Sequence, residues 1–460
     1  MDQNNSLEPM VNLDFPPERL TEPPAEMQAM LEWALDEARK RGVSSAEAGA
    51  HFGTGIEVSV RLGKIESIEH ARDRGLALTV YLGQRCGSAS TADFSRAAIT
   101  RALDAACTIA SYTMEDPWSG LADPRFLAHD FPDLDLDHPQ DITVERLVEV
   151  AQRCEQSAME VDERIFNSEG ASCSYNRGIH LYANTNAFMG LSCGTRYSCG
   201  VSVLGRDEHG MQRDAWFDVA RKFADLTEAE QMGVIAARRT LQKLGGHRIP
   251  TQRSPIILEA PIASSLFRAL TGAANGNRIY RHSSFLEGQV GQPVFPEWLQ
   301  IREYPHLKRA LGSAVFDAEG VATKEQSLIE SGRLSRYVLD SYAARRLGLE
   351  TTGNAGGVHN LTVESNAGEI DELLLKMDRG LLVTELMGHG TDLTSGDYSH
   401  GATGFWVENG QIVHPVEEVT IAGNLRDMFK HIVAIGNDVD LRHNIRSGSV
   451  LLEGMTIAGA

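Results

Sequence analysis

The stretch Gly380-Leu381-Leu382-Val383-Thr384-Glu385-Leu386-Met387-Gly388-His389-Gly390 decides how this chain is read, together with its continuation through Ser395-Gly396-Asp397-Tyr398-Ser399-His400-Gly401 to Gly404-Phe405-Trp406-Val407-Glu408-Asn409-Gly410. Apolar β-formers flank a middle of glycine and small polar residues. A buried strand written this way breaks into a loop and resumes as a hairpin, because glycine accepts turns and lets another backbone come close.

The same texture extends outward from Ser254. Pro255-Ile256-Ile257-Leu258 predicts a short buried strand and residues 261–274 a helix, after which Gly312, Gly320, Gly332, Gly353, Gly356 and Gly357 punctuate strands at β-domain spacing. The N-terminal half reads differently. A helix begins after Pro23-Pro24, carries Met27, Met30, Leu31, Ala34 and Leu35 on one face, and stops at Gly42. Ile56, Val58, Val60 and Leu62 then alternate with polar residues, as do Leu76, Leu78, Val80 and Leu82, with a turn expected near Asp73-Arg74-Gly75. Asp93 is the expected cap of the next helix. This helix–meander–helix order recurs: a helix capped by Asp141, strands from about Arg164 to Ala220, and a closing helix with the capping box Thr227-Glu228-Ala229-Glu230.

Between the two units, Pro117, Pro124, Pro132 and Pro139 alternate with Asp130, Asp133, Asp135 and Asp137, the pattern of an irregular, solvated connector over residues 112–140. The expectation is an α+β fold. Residues 1–25 form a flexible tail, 26–250 an N-terminal domain of helix/antiparallel-meander/helix units, and 251–460 a β-rich antiparallel C-terminal domain.

Composition narrows the partners. With 43 Lys+Arg against 63 Asp+Glu the net charge is −20 and no basic block interrupts it, which argues against nucleic acid and anionic membranes. Met1–Ala25 has no basic or apolar leader pattern, and no apolar run approaches the length of a membrane span, so a soluble, cytoplasmic protein is expected. The 6 cysteines form no CxxC pair and read as reduced thiols. Gly194 and Gly200 suggest a tight turn or bulge across which Cys193 and Cys199 face each other.

A metallopeptidase helix needs two histidines one turn apart with a glutamate beside the first. No His-Glu dipeptide occurs, and none of the 15 histidines lies three to five positions from another. No catalytic residue and no metal ligand is therefore assigned. Gly388, His389, Gly390, Asp397, Tyr398, Ser399, His400 and Gly401 are read as lining a peptide groove or a subunit contact. The alternative for the histidines is a discontinuous metal site made by His389, His400 and His443.

Together with Tyr337-Val338-Leu339-Asp340-Ser341-Tyr342, Thr352-Gly353-Asn354-Ala355-Gly356-Gly357, His359-Asn360-Leu361-Thr362 and Val433-Ala434-Ile435-Gly436-Asn437-Asp438, the opening stretch resembles the TldD/PmbA family and within it the PmbA (TldE) branch, formerly called modulator of DNA gyrase. In the TldD branch a strand leads into the zinc-binding His-Glu helix, and a cysteine near the C-terminus completes the site. At the matching places this chain has Leu258-Glu259-Ala260-Pro261-Ile262-Ala263-Ser264-Ser265 and a cysteine-free tail from Asn444 to Leu452. The resemblance implies a non-catalytic subunit of a heteromeric zinc peptidase that degrades or trims unstructured peptides. It would close the chamber around a TldD-type partner's zinc, hold no cofactor itself, and offer backbone at a strand edge to extended substrate. A homodimer of the isolated chain is the other assembly it allows. Two further readings stand beside it: a self-sufficient metallopeptidase, and a non-enzymatic modulator that binds gyrase or another protein.

Overall fold

The alternating segments of the N-terminal half join into one sheet. In the computed structural model, which describes residues 18–459, the order is α1 (Ala25–Lys40), β1 (Ser45–Arg61), β2 (Lys64–Leu82), β3 (Arg85–Thr91), α2 (Arg96–Tyr112), α3 (Val144–Met159), β4 (Ile165–Asn184), β5 (Met189–Arg206), β6 (Met211–Ala220) and α4 (Ala229–Gln242). The strands run β3-β2-β1-β4-β5-β6, antiparallel throughout. Pairing of β1 with β4, from Glu47 opposite Asn184 to Val60 opposite Ala171, sews the two helix–meander–helix units together.

Side chains alternate across a strand, so even-numbered residues of β1 share a face with odd-numbered residues of β4 and β5. Both helix pairs lie on that face. Ala48, Ala50 and Leu181 are buried against Met30 and Leu31 of α1 and Ile99 and Leu103 of α2. Further along the same strands, Val58, Ala171 and Val201 are buried against Leu147 and Ala151 of α3 and Met232 and Ala236 of α4. Each fully buried Leu or Ile contributes about 1.5–3 kcal/mol relative to exposure.

Between these two apolar patches sits Arg177, and the connector comes in to meet it. Asp137 accepts from Arg177 Nε at 2.8 Å and Nη2 at 2.6 Å, and both side chains are 2% exposed. Arg177 Nη2 also donates to the Glu18 carbonyl at 2.7 Å, while Leu20 N donates to Asp137 at 3.1 Å. The expectation of a solvated connector is thus corrected at Asp137: a sheet that buries a guanidinium must bury its counter-charge with it. The remainder of the expected tail, residues 1–17, lies outside the described residues.

Three local readings also change. The β1–β2 turn is Leu62-Gly63, both at positive φ (49° and 73°), and Asp73-Arg74-Gly75 lies inside β2 opposite Gly53, Phe52 and His51. Gly194 and Gly200 lie within β5, so Cys199 faces Cys173 of β4 across the sheet (Cα–Cα 4.2 Å) in a disulfide, and Cys193 is separate. Ser95 and Thr143 cap α2 and α3 in place of Asp93 and Asp141, and Thr227 is taken by Asp218 instead of forming a capping box.

The C-terminal half contains β7 (Gln252–Leu258), α5 (Ala260–Ala273), α6 (Gly276–Ile279), β8 (Ile301–Glu303), β9 (Gln326–Glu330), β10 (Arg333–Leu334), α7 (Ser341–Leu347), β11 (Leu361–Val363), α8 (Ile370–Met377), β12 (Gly380–Met387), β13 (Asp397–Glu408), β14 (Gln411–Asn424), α9 (Leu425–Lys430), β15 (Ile432–Ile435), β16 (Ile445–Arg446) and β17 (Val450–Ala458). It is β-rich as expected, in a six-stranded sheet β14-β13-β12-β7-β17-β15 and a five-stranded sheet β10-β9-β8-β11-β16. Pairing is mainly antiparallel, with β7–β12 and β11–β16 parallel. The core between these layers includes Ile256, Leu258, Phe267, Leu270, Leu328, Leu381 and Ile421.

Candidate peptide-contact site

β12 and β13 carry the opening stretch as an antiparallel pair, with Met387 opposite Gly401. Gly388, at φ +83°, turns the chain out, and His389 is exposed at the tip. The loop then folds back: Ser399 N donates to the Gly390 carbonyl at 2.7 Å, and a Cβ on Gly390 would fall 1.6 Å from the Ser399 carbonyl oxygen. Only glycine fits there. Asp397 closes the far side, accepting from Ser395 Oγ at 2.8 Å and Asn424 Nδ2 at 3.1 Å.

The strand alternation divides the remaining residues. Asp397 and Ser399 are exposed, whereas Tyr398 is buried with no partner for its hydroxyl among the described residues, and its ring lies 4.5 Å from that of His400. Burial holds the Tyr398 phenol above its ordinary range and His400 below its own. His400 Nε2 is paired with Thr391 Oγ1 at 2.8 Å, and its Nδ1 is buried without a partner among the described residues. The structure therefore brings these eight residues to one turn. Residues 397–402 pair with β14 on one side, Gly401 and Ala402 pair with β12 on the other, and the returning loop covers Tyr398 and Ser399. A peptide here would meet Gly388, His389 and exposed side chains rather than a free strand edge.

An open edge exists elsewhere. Among the described residues, β3 pairs only with Leu76–Leu82 of β2, and Lys64–Gly75 has no strand on its outer side. Ile65 and Ile68 are exposed there among Lys64, Glu66, Glu69, Arg72, Asp73 and Arg74. The sequence hid this edge, because a turn placed at Asp73-Arg74-Gly75 ends the strand too early.

At the start of α5 the donor set does not fit a metal. The Glu259 carboxylate is held by Arg239 through two hydrogen bonds of 2.8 and 2.9 Å, and Arg239 also pairs with Asp214 at 3.2 Å. Ala260 N donates to Ser449 Oγ, which donates to Asp438. Ala260, Pro261, Ile262 and Ala263 then supply no ligand atom, and β17 opposite reads Val450-Leu451-Leu452. Among the described residues no three His, Cys, Asp or Glu side chains converge as a metal site, and this includes His389, His400 and His443.

Three domains of one family match the chain along most of its length. The PmbA/TldA metallopeptidase domain 1 matches residues 46–110, the central domain 137–244 and the C-terminal domain 251–459. The metalloprotease PmbA of Escherichia coli O157:H7 is 44% identical over 414 residues, covering 90% of this chain and 92% of that protein. The chain belongs to the PmbA/TldA metallopeptidase family. A PmbA homologue from Haemophilus influenzae is 41% identical over 435 residues, covering 94% of this chain and 96% of that protein. Among solved members of the fold, a structure from Bacteroides thetaiotaomicron bearing the name modulator of DNA gyrase has a TM-score of 0.90 at 28% identity, covering 95% of this chain and 100% of that one. TldE from Thermococcus kodakarensis shares the fold, with a TM-score of 0.81 at 21% identity over 94% of this chain and 100% of that one. No helix among the described residues is long and apolar enough to cross a membrane.

Proposed function

We propose that this PmbA-family chain is the metal-free subunit of a heteromeric zinc peptidase, acting with a TldD-type zinc-bearing chain on unstructured peptides. The observation that carries the reading is the start of α5. Its one carboxylate, Glu259, is neutralised by Arg239, its first amide is capped by Ser449, and no histidine or cysteine stands beside it. A carboxylate bridged to a guanidinium is a poor metal ligand, because one acceptor site on each oxygen is already engaged and the adjacent cation repels a metal ion. Here the local chemistry is structural, tying α4 to α5.

Peptide contact then falls to surfaces that remain open: the Gly388–His389 turn and the Lys64–Gly75 edge, where an extended chain could be added as a further strand. The chain should be purified alone and with a TldD-type partner, in the cytoplasmic heterodimer expected for it, with bound zinc and casein hydrolysis measured in both. Zinc and hydrolysis only in the pair support the reading. Stoichiometric zinc with hydrolysis in the lone chain overturns it.

A further inference from the structure

The outer edge of β2 sorts its charges by face. Directly opposed residues of β1 and β2 share a face, and successive residues alternate. Ile68 stands opposite Val58 and Arg74 opposite Phe52, both buried under the helices, so Ile68, His70, Arg72 and Arg74 lie on the helix side. Arg74 reaches over the Phe94 ring there, 5.6 Å from its centroid. Ser67, Glu69, Ala71 and Asp73 lie on the other side, where Glu69 stands opposite Glu57. One face of the edge is therefore basic and the other acidic. Residues 68–74 are exposed, and among the described residues Glu57, Glu69 and Arg72 have no oppositely charged partner, while Asp73 meets only His51, at 3.2 Å.

The edge is fixed before anything binds it. Glu155 of α3, 2% exposed, accepts from Leu62 N at 2.9 Å and Gly63 N at 2.8 Å, and Gln152 Nε2 donates to the Gly63 carbonyl at 2.9 Å. These contacts bolt the β1–β2 turn to a helix. Leu62 is held there at φ +49°, a left-handed conformation unfavourable for leucine, with its side chain turned to solvent near the exposed Ile65 and Ile68 in sequence. A preordered edge leaves an incoming strand only its own ordering cost.

The two faces select what can pair here. In an antiparallel two-fold pairing with a second copy, residues equidistant from the axis face each other and share a side of the sheet. Glu69 and Asp73 of both copies would then crowd one side and Arg72 and Arg74 of both the other, like beside like. A strand of alternating basic and acidic residues does the opposite. Its bases fall beside Glu69 and Asp73, and its acids beside Arg72 and Arg74.

We infer that residues 67–74 of β2 take an extended peptide of alternating basic and acidic residues as an added strand, in line with β3 on the same side of β2. The inference rests on the chain being a peptide-contacting subunit, and it names the class of segment held: charge order along the peptide decides, not its net charge.

The test is fluorescence anisotropy on the full chain without a partner. It uses three N-terminally labelled, C-terminally amidated peptides of equal composition: alternating Lys and Glu, a block of Lys followed by a block of Glu, and the alternating peptide N-methylated at two adjacent central amides. At low salt the alternating peptide should bind about tenfold tighter than the block peptide, the worth of a few cross-strand charge pairs. The methylated peptide should bind about tenfold more weakly than its parent, because one of two adjacent amides must face the edge. Amide exchange of the protein should slow within residues 67–74 on binding. In a Glu69→Gln/Arg72→Gln chain, whose urea midpoint is checked first, the preference for alternation should fall to about twofold or less. Equal binding of alternating and block peptides, no binding, a preference that survives the double substitution, or protection confined to another segment overturns the inference. So does protection of residues 67–74 on raising the concentration of the chain alone, which would assign the edge to a second copy. Zinc content and casein hydrolysis are measured separately, so the edge can fail while the two-subunit reading stands, and the reverse.

Discussion

Arg177 and Arg196 occupy almost facing positions of paired strands: Asn176 lies opposite Arg196, and Thr195 opposite Arg177. They point to opposite faces. On the helix-covered face Arg177 is 3% exposed and fully engaged by Asp137 and the Glu18 carbonyl. On the other face Arg196 is exposed and has no acidic partner among the described residues. A guanidinium taken out of water must be neutralised on the spot, whereas one left in water can wait for a ligand. One is therefore part of the architecture, and the other is available for binding.

Replacing Arg177 with methionine should have the largest effect, because it strands the buried Asp137 carboxylate. A loss of about 3–5 kcal/mol in urea unfolding is expected. Adding Asp137→Leu should return much of it, since a matched apolar pair can replace a buried ion pair. If the single change costs less than a surface substitution, the distinction between the two arginines collapses.

Gly390→Ala tests whether the turn carrying His389 is as fixed as the sheet centre. Its new methyl would collide with the Ser399 carbonyl, costing about 1–3 kcal/mol. Faster amide exchange at Ser399 and Asp397, with little change in α1–α4, is the expected signature.

A pH titration examines charges whose burial is uncompensated. Burial raises Asp317 to about 6, despite three backbone N–H donors, and Glu319 to about 7, beside Ser341 N. The folded state thus binds these protons more tightly than the unfolded chain. Their contribution is present in full below the unfolded carboxylate range and is lost as pH rises through about 6 to 7. Glu319→Gln should flatten this part of the stability profile without abolishing it, because Asp317 remains.

The smallest effect should come from Arg196→Gln with Arg268→Gln. Stability should move by less than about 0.5 kcal/mol, because neither side chain is buried, nor is either paired with a carboxylate among the described residues.

How much of this was legible depended on whether the controlling contact was local. The helix after Pro23-Pro24, the strand at Pro255–Leu258 and the hairpin around Gly388–Gly401 follow from periodicity and glycine placement within a few residues. The Leu62-Gly63 turn was missed because leucine at positive φ carries no turn signal, while Asp73-Arg74-Gly75 mimics one. Asp137 looked solvated among its neighbouring aspartates, since its partner Arg177 is supplied by a strand distant in sequence. Of the candidate site, the turn residues were readable, whereas the open β2 edge was hidden by the false turn at Asp73-Arg74-Gly75, which ends the strand too early.

The β1–β4 seam sets an order of events during synthesis. β1 has β2 on one side as soon as the first hairpin forms, but its other side waits for β4, whose Asn184 meets Glu47 only after the connector and α3 have also emerged. Closing so long a loop is slow compared with hairpin formation. A nascent chain paused after α2 would carry β1 with one edge unpaired, open to pairing with other chains, until residue 184 has emerged.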